Sequence, residues 1–175
     1  NHVDVEEATR RGITVVNTPG RNALAVAELT IGMVLSLARH IPQAHHYVRA
    51  GEWVDPVTAY ETFRGCELAG KVAGIIGLGA IGRLVARRLQ ALEMTVVATD
   101  PYVKPAEAKS LRIRLEGLAE LLSISDFVLV HTPATPETLG LIGPEELNAM
   151  KPTGYLVNTS APGVVKEEAL TTVLQ

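Results

Sequence analysis

Hydrophobic and polar positions along the chain fall into two alternating patterns. Short apolar runs closed by glycine, proline or a polar cluster predict strands at 13–16, 71–76, 95–99, 127–130 and 155–158, with a weaker one at 112–115. The run Phe127-Val128-Leu129-Val130 has no polar member, so it predicts a strand buried on both faces. Between the runs, apolar residues recur every three or four positions. Asn22 can cap a long helix carrying Leu24, Val26, Leu29, Met33, Val34, Leu37 and Ile41; Pro42 breaks or kinks it, and His45, His46 and Arg49 mark a wetter continuation to Gly51. Further helices are expected after Gly82, at 106–110, around Leu118, Leu121 and Leu122, from Pro144 to Met150, and from Glu167 to Leu174. The opening Asn1-His2-Val3-Asp4 reads as a helix already under way, and the last helix as cut inside its pattern. The stretch Glu52 to Gly65 reads as a loop.

Strands alternating with helices imply an α/β fold: a doubly wound parallel sheet with helices on both faces. In such sheets a ligand lies beyond the carboxyl ends of the strands. The polar clusters that end the runs, Asp100, His131-Thr132 and Asn158-Thr159, should therefore ring one cleft. The long helix has a different demand. Between Ala23 and Ala38 its only charge is Glu28. A helix apolar nearly all round is buried on more than one side, so it is expected to lie against the sheet and also against another domain or a second subunit.

The chemistry is concentrated at Gly77-Leu78-Gly79-Ala80-Ile81-Gly82, between the strand at 71–76 and the next helix. In that setting Gly77 permits the tight turn and Gly79 lets a pyrophosphate approach the backbone. Gly82 lets the helix pack close to the sheet, and the free amides of the helix start face the phosphates. Asp100 ends the following strand at the roughly 20-residue spacing that such sites use, where a carboxylate accepts the ribose hydroxyls of an adenosine. It would repel a 2′-phosphate, which favours NAD over NADP; Lys104 nearby weakens that preference a little.

Composition narrows the classes. The chain has 175 residues, 47% hydrophobic and 20% charged, enough for one ordinary globular domain. Aromatic residues are only 4%, so the core is aliphatic. A net charge of −3 offers nothing to attract a phosphate backbone, so nucleic acid is not expected as a partner. The longest apolar stretch, near Ile31 to Ala38, is too short to span a bilayer, and no membrane role or signal segment is read. A lone Cys66 allows no internal disulfide and fits a reducing, cytoplasmic setting. His45 and His46 are neighbours on a helix and point apart, so no metal site is expected.

These segments together resemble the D-isomer-specific 2-hydroxyacid dehydrogenases. The resemblance rests on Arg11-Gly12-Ile13 with Asn17-Thr18-Pro19, Val26-Ala27-Glu28-Leu29-Thr30, Glu67-Leu68-Ala69-Gly70-Lys71 and the glycine turn. It continues through Asp100-Pro101, His131-Thr132-Pro133 with Thr135-Pro136-Glu137-Thr138, Met150-Lys151-Pro152 and Asn158-Thr159-Ser160. It implies a Rossmann-type NAD-binding domain over residues 1–175, partial and incomplete at the C-terminal side, with the substrate domain largely absent and the 22–41 helix forming a homodimer. It further implies that Ala80 and Ile81 touch the pyrophosphate through their amides and Asp100 holds the adenosine ribose. Thr132 and Pro133 would line the adenine and ribose side, Thr159, Ser160 and Ala161 would lie near the nicotinamide ribose, and Val26 near the nicotinamide ring.

The departures carry as much meaning. The family places an Arg after its Asn-Thr-Ser segment, where a planar guanidinium grips the substrate carboxylate; here the positions read Ala161-Pro162-Gly163. The family's general acid, a His oriented by a Glu, is expected beyond the last residue. His131, the histidine expected at the cleft, is expected to pack or bond beside the cofactor rather than act as the acid. No catalytic residue is therefore assigned. One reading is part of a hydride-transferring dehydrogenase acting on a D-2-hydroxy or 2-keto acid in a longer protein and idle alone. The second is a non-catalytic NAD-binding or corepressor-like module. The third is a remnant that binds nothing.

Overall fold

The computed structural model describes residues 3–174, so the expectation at Asn1 and His2 lies outside the described residues. Among the described residues, β1 (Val72–Ile76), β2 (Thr95–Thr99), β3 (Arg114–Leu115), β4 (Phe127–Val130) and β5 (Tyr155–Asn158) form one parallel sheet in the order β3-β2-β1-β4-β5. Successive side chains of a strand point to opposite faces, and here both faces are dry. Ala73, Ile75, Val96, Ala98, Phe127 and Leu129 join one core cluster; Ile76, Val97, Val128 and Val130 join the other. That double burial explains why the runs are apolar without alternation.

Helix α1 (Val5–Arg10) precedes the sheet in the chain, and α6 (Pro105–Ser110) leads from β2 to β3. The first cluster is closed by α2 (Ala23–Ala38) and α5 (Ala80–Ala91), the second by α7 (Leu118–Ile124), α8 (Pro144–Ala149) and α9 (Glu167–Val173). Small side chains bring α2 close to its neighbours: Ala23, Ala27, Thr30, Val34 and Ala38 form its buried face. Leu24, Leu29, Met33 and Leu37 point the other way and stay open in the single chain. At the start of β4, Asp126 accepts the Val72 N–H at 2.8 Å and the Lys151 ammonium at 2.9 Å. Burial alone would raise this carboxyl; the Val72 amide and Lys151 outweigh it and hold it below its ordinary range.

Four local expectations are corrected. Residues 13–16 form no strand: the segment is exposed, with no strand beside it among the described residues to satisfy its backbone. Asn22 makes no side-chain cap, because its near-helical φ and ψ of −96° and 2° replace the extended backbone a cap uses. The break after α2 falls at His40, which is left-handed (φ 52°), and Pro42 sits in the first turn of α3 (Ile41–Arg49), where a missing N–H costs nothing. The two helices bend by 66°, and among the described residues no single helix is long and apolar enough to cross a membrane. Within the expected loop, Asp55 caps a helix, α4 (Pro56–Thr62), by accepting the amides of Val57 and Thr58. Tyr47, Trp53 and Phe63 then pack edge and face between α3 and α4.

Candidate functional site at the strand ends

The order of the strands makes the site. The chain winds outward from β1 to β2 and β3, then returns across to β4 and β5, so a crevice opens at the carboxyl end of β1. Gly77 makes the turn out of β1 with φ 95°, and a Cβ there would come within 3.0 Å of the His131 carbonyl and the Thr132 nitrogen. Gly79 is the residue before α5, with φ −75°, and a Cβ on it would meet nothing within 4 Å. Gly82 is packed against the turn itself; its Cβ would lie 2.2 Å from the Gly77 carbonyl oxygen. The three glycines thus differ in kind: two permit close packing within the chain, and one borders open space. Ala80 and Ile81 occupy the first turn of α5, where amides have no intrahelical acceptor and no side chain caps them.

The turn is pinned from both sides. Asp100 accepts the Leu78 N–H at 2.8 Å through Oδ2 and the Tyr102 N–H at 2.9 Å through Oδ1. Arg83 donates from Nε to the Leu78 carbonyl at 2.9 Å and pairs with Glu107. A cleft of about 390 Å³ lies beyond, lined by Gly77, Gly79, Asp100, His131, Thr132 and Pro133 together with Tyr102, Glu137 and Thr138. Its far wall is braced by Thr138, whose hydroxyl accepts the Thr135 N–H at 2.7 Å and donates to the Pro133 carbonyl at 2.5 Å.

The remaining predicted residues gather on the β4–β5 side. Thr159 Oγ1 lies 3.3 Å from His131 Nδ1 and 3.0 Å from Thr30 Oγ1, and Thr30 donates to the Val26 carbonyl at 2.8 Å. Ser160 turns back on Asn158, donating both its N–H and its hydroxyl to Oδ1. Ala161 follows half-buried, with Pro162 and Gly163 exposed beside it. Val26 and Thr159 are therefore linked through Thr30, while the hydrogen bonds of the Ser160 side chain and N–H run to Asn158 instead. The sequence assigned no role to Thr30 or Arg83. Thr30 had a signal, a polar residue on the spacing of the buried alanines of α2; Arg83, an ordinary helix arginine by pattern, had none. Burial pushes the His131 imidazole down to about 4, so near neutrality it holds no second proton to give.

Residues 31–175 match the family model for the D-isomer specific 2-hydroxyacid dehydrogenase, NAD binding domain. The chain belongs to this family. D-3-phosphoglycerate dehydrogenase of Archaeoglobus fulgidus is 44% identical over 170 residues, which is 97% of this chain and 31% of that protein. The Sus scrofa D-3-phosphoglycerate dehydrogenase is 43% identical across 100% of this chain and 32% of its own length. The TT0316 protein of Thermus thermophilus superposes with a TM-score of 0.90 at 40% identity, covering 99% of this chain and 54% of that one. D-lactate dehydrogenase of Escherichia coli does so at 0.87 and 34%, covering 99% and 53%. The chain thus spans about a third of the length of the curated relatives it matches. It is an NAD-binding domain of the D-2-hydroxyacid dehydrogenase family, with the Rossmann-type sheet such a domain needs.

Proposed function

We propose that residues 1–175 serve as the dinucleotide-holding part of a D-2-hydroxyacid dehydrogenase, a soluble cytoplasmic protein whose 2-hydroxy or 2-keto acid is bound only in a longer protein. The observation that carries this reading is the glycine turn. Open space at Gly79, with uncapped amides of Ala80 and Ile81 behind it, suits a diphosphate, since a helix start offers donors and a favourable dipole to an anion. Each Asp100 oxygen accepts one amide in the chain and keeps a lone pair for a ribose hydroxyl. Thr132 and Pro133 border the adenosine side; Thr159, Ser160, Ala161 and Val26 border the nicotinamide side. When bound, NAD supplies the hydride acceptor or donor, and the protein's share is to bind, orient and exclude water.

A second reading has its own support. Ala161 has no group to grip a carboxylate, and Pro162 lacks an N–H. We therefore infer that this chain alone binds NADH without turning it over, as would a binding or corepressor-like module. Fluorescence titration with NADH, beside an assay with glyoxylate or hydroxypyruvate, tests both. Saturable binding, lost by tenfold or more in Gly79→Val, is expected with no measurable NADH oxidation. Equal affinity in the variant would remove the proposed site, and turnover by the chain alone would remove the idle reading.

A further inference from the structure

The contacts behind the cleft fix the positions of their own hydrogens. Thr30 has one hydroxyl proton, and its shorter contact, 2.8 Å, is to the Val26 carbonyl, which can only accept. Thr30 Oγ1 is then an acceptor for the Thr159 hydroxyl, 3.0 Å away. With that proton also placed, Thr159 Oγ1 can only accept from His131 Nδ1, at 3.3 Å. The imidazole hydrogen is therefore on Nδ1. Burial keeps the ring neutral, so Nε2 is left as a bare acceptor. Nε2 is itself buried, and among the described residues no group donates to it. Buried polar atoms are nearly always paired, so an orphan of this kind asks for a partner.

We propose that the ordered chain from the Val26 carbonyl through Thr30 and Thr159 presents His131 Nε2 as an acceptor for the bound dinucleotide. Nε2 takes an O–H or N–H donor of the nicotinamide riboside half, directly or through one bound water. This rests on the NAD-binding reading above. The half is chosen by topology: Asp100 follows β2, on one side of β1, whereas His131 and Thr159 follow β4 and β5 on the other, with Thr30 of α2 bonded to Thr159. With adenosine at Asp100 and the diphosphate at the glycine turn, the rest of the molecule would cross to the side of β1 on which His131 lies. His131 is a positioning residue here, and it transfers no proton.

Thr30→Val tests the idea without touching the cleft, because Thr30 is fully buried. It frees the Thr159 proton to point at Nδ1, which drives the ring to the Nε2–H form and sets donor against donor. Imidazole ¹H–¹⁵N spectra of the ¹⁵N-histidine-labelled protein read the tautomer, and fluorescence titration reads affinity. Nδ1–H is expected in the free protein, with the Nε2 resonance moving on saturation by NADH. Thr30→Val should show Nε2–H and bind NADH about tenfold more weakly, roughly the worth of one hydrogen bond to a ligand; Thr30→Ser should keep both properties. ADP-ribose moving Nε2 identifies a ribose hydroxyl as the donor, and movement with NADH alone identifies the carboxamide; either result supports the proposal. An Nε2–H tautomer in the free wild-type protein overturns it, as does an Nε2 resonance unmoved while NADH demonstrably binds. Absence of NADH binding would overturn the NAD-binding reading as well, and the titration recognises that case separately.

Discussion

Gly79 and Gly82 stand three residues apart and oppose each other in what a side chain would do. At Gly82 an added Cβ lies 2.2 Å from the Gly77 carbonyl oxygen, a backbone atom that cannot swing away. Gly82→Ala should therefore destabilise the fold by about 1–3 kcal/mol, the usual cost of overpacking, measured by urea denaturation. Gly79→Ala meets nothing within 4 Å among the described residues and should leave the midpoint unchanged. His131 adds a pH dependence. Its folded pKa is lowered to about 4 by burial, against the ordinary 6.5. Above pH 6.5 the ring is neutral in both states. Between 6.5 and 4 the unfolded chain binds a proton that the folded chain refuses, so stability falls on acidification through that window. The loss reaches at most about 2 kcal/mol at pH 5. Comparing denaturation at pH 7 and pH 5 should show that loss in the wild type and a flatter response in His131→Gln. The places of the glycines and Asp100 were legible because their spacing falls between a strand, a helix and the end of the next strand. The bonds that pin the turn, from Asp100 to Leu78 and from Arg83 to its carbonyl, depend on distances that no linear pattern records.

Among the elements, the strands of the sheet core were the most legible. Each is a run of apolar residues buried on both faces, a signal that survives without knowledge of partners. Residues 13–16 show the limit of that signal, since a β-prone run becomes a strand only where another strand lies beside it. The helix α4 was hidden by its proline, which marked a helix start rather than a loop. For α2 the pattern was apolar all round, yet only one face is buried in the chain. Leu24 and Leu29 remain 52% and 54% exposed, with Met33 and Leu37 beside them. We propose that a second copy of the chain covers this apolar stripe. Leu29→Glu should then shift the mass found by light scattering from dimer to monomer while leaving the circular dichroism spectrum intact. A wild-type monomer at high concentration would count against the dimer.

At the scale of the whole molecule, backbone hydrogen bonding is uneven. Strand β1 has hydrogen-bonded neighbours on both sides, while β3 and β5 each have one. The turn after β1 is held by the same neighbours: the Gly77 N–H reaches the Thr99 carbonyl at 3.0 Å, the His131 N–H reaches the Ile76 carbonyl at 2.8 Å, and the Leu78 N–H reaches Asp100. Deuterium uptake should accordingly be slow at Gly77 and Leu78, despite their place in a loop, and fast at the outer strands. Asp100→Ala should speed exchange at Leu78 first. The anchor at Leu78 has one more effect. A single carboxylate beyond β2 both steadies the bend and lines the cleft, so on the proposed reading a sugar lodged against it would also bear on the neighbouring loop. Recognition of a sugar at one end and grip on the charged bridge at the other would then rise and fall as one quantity.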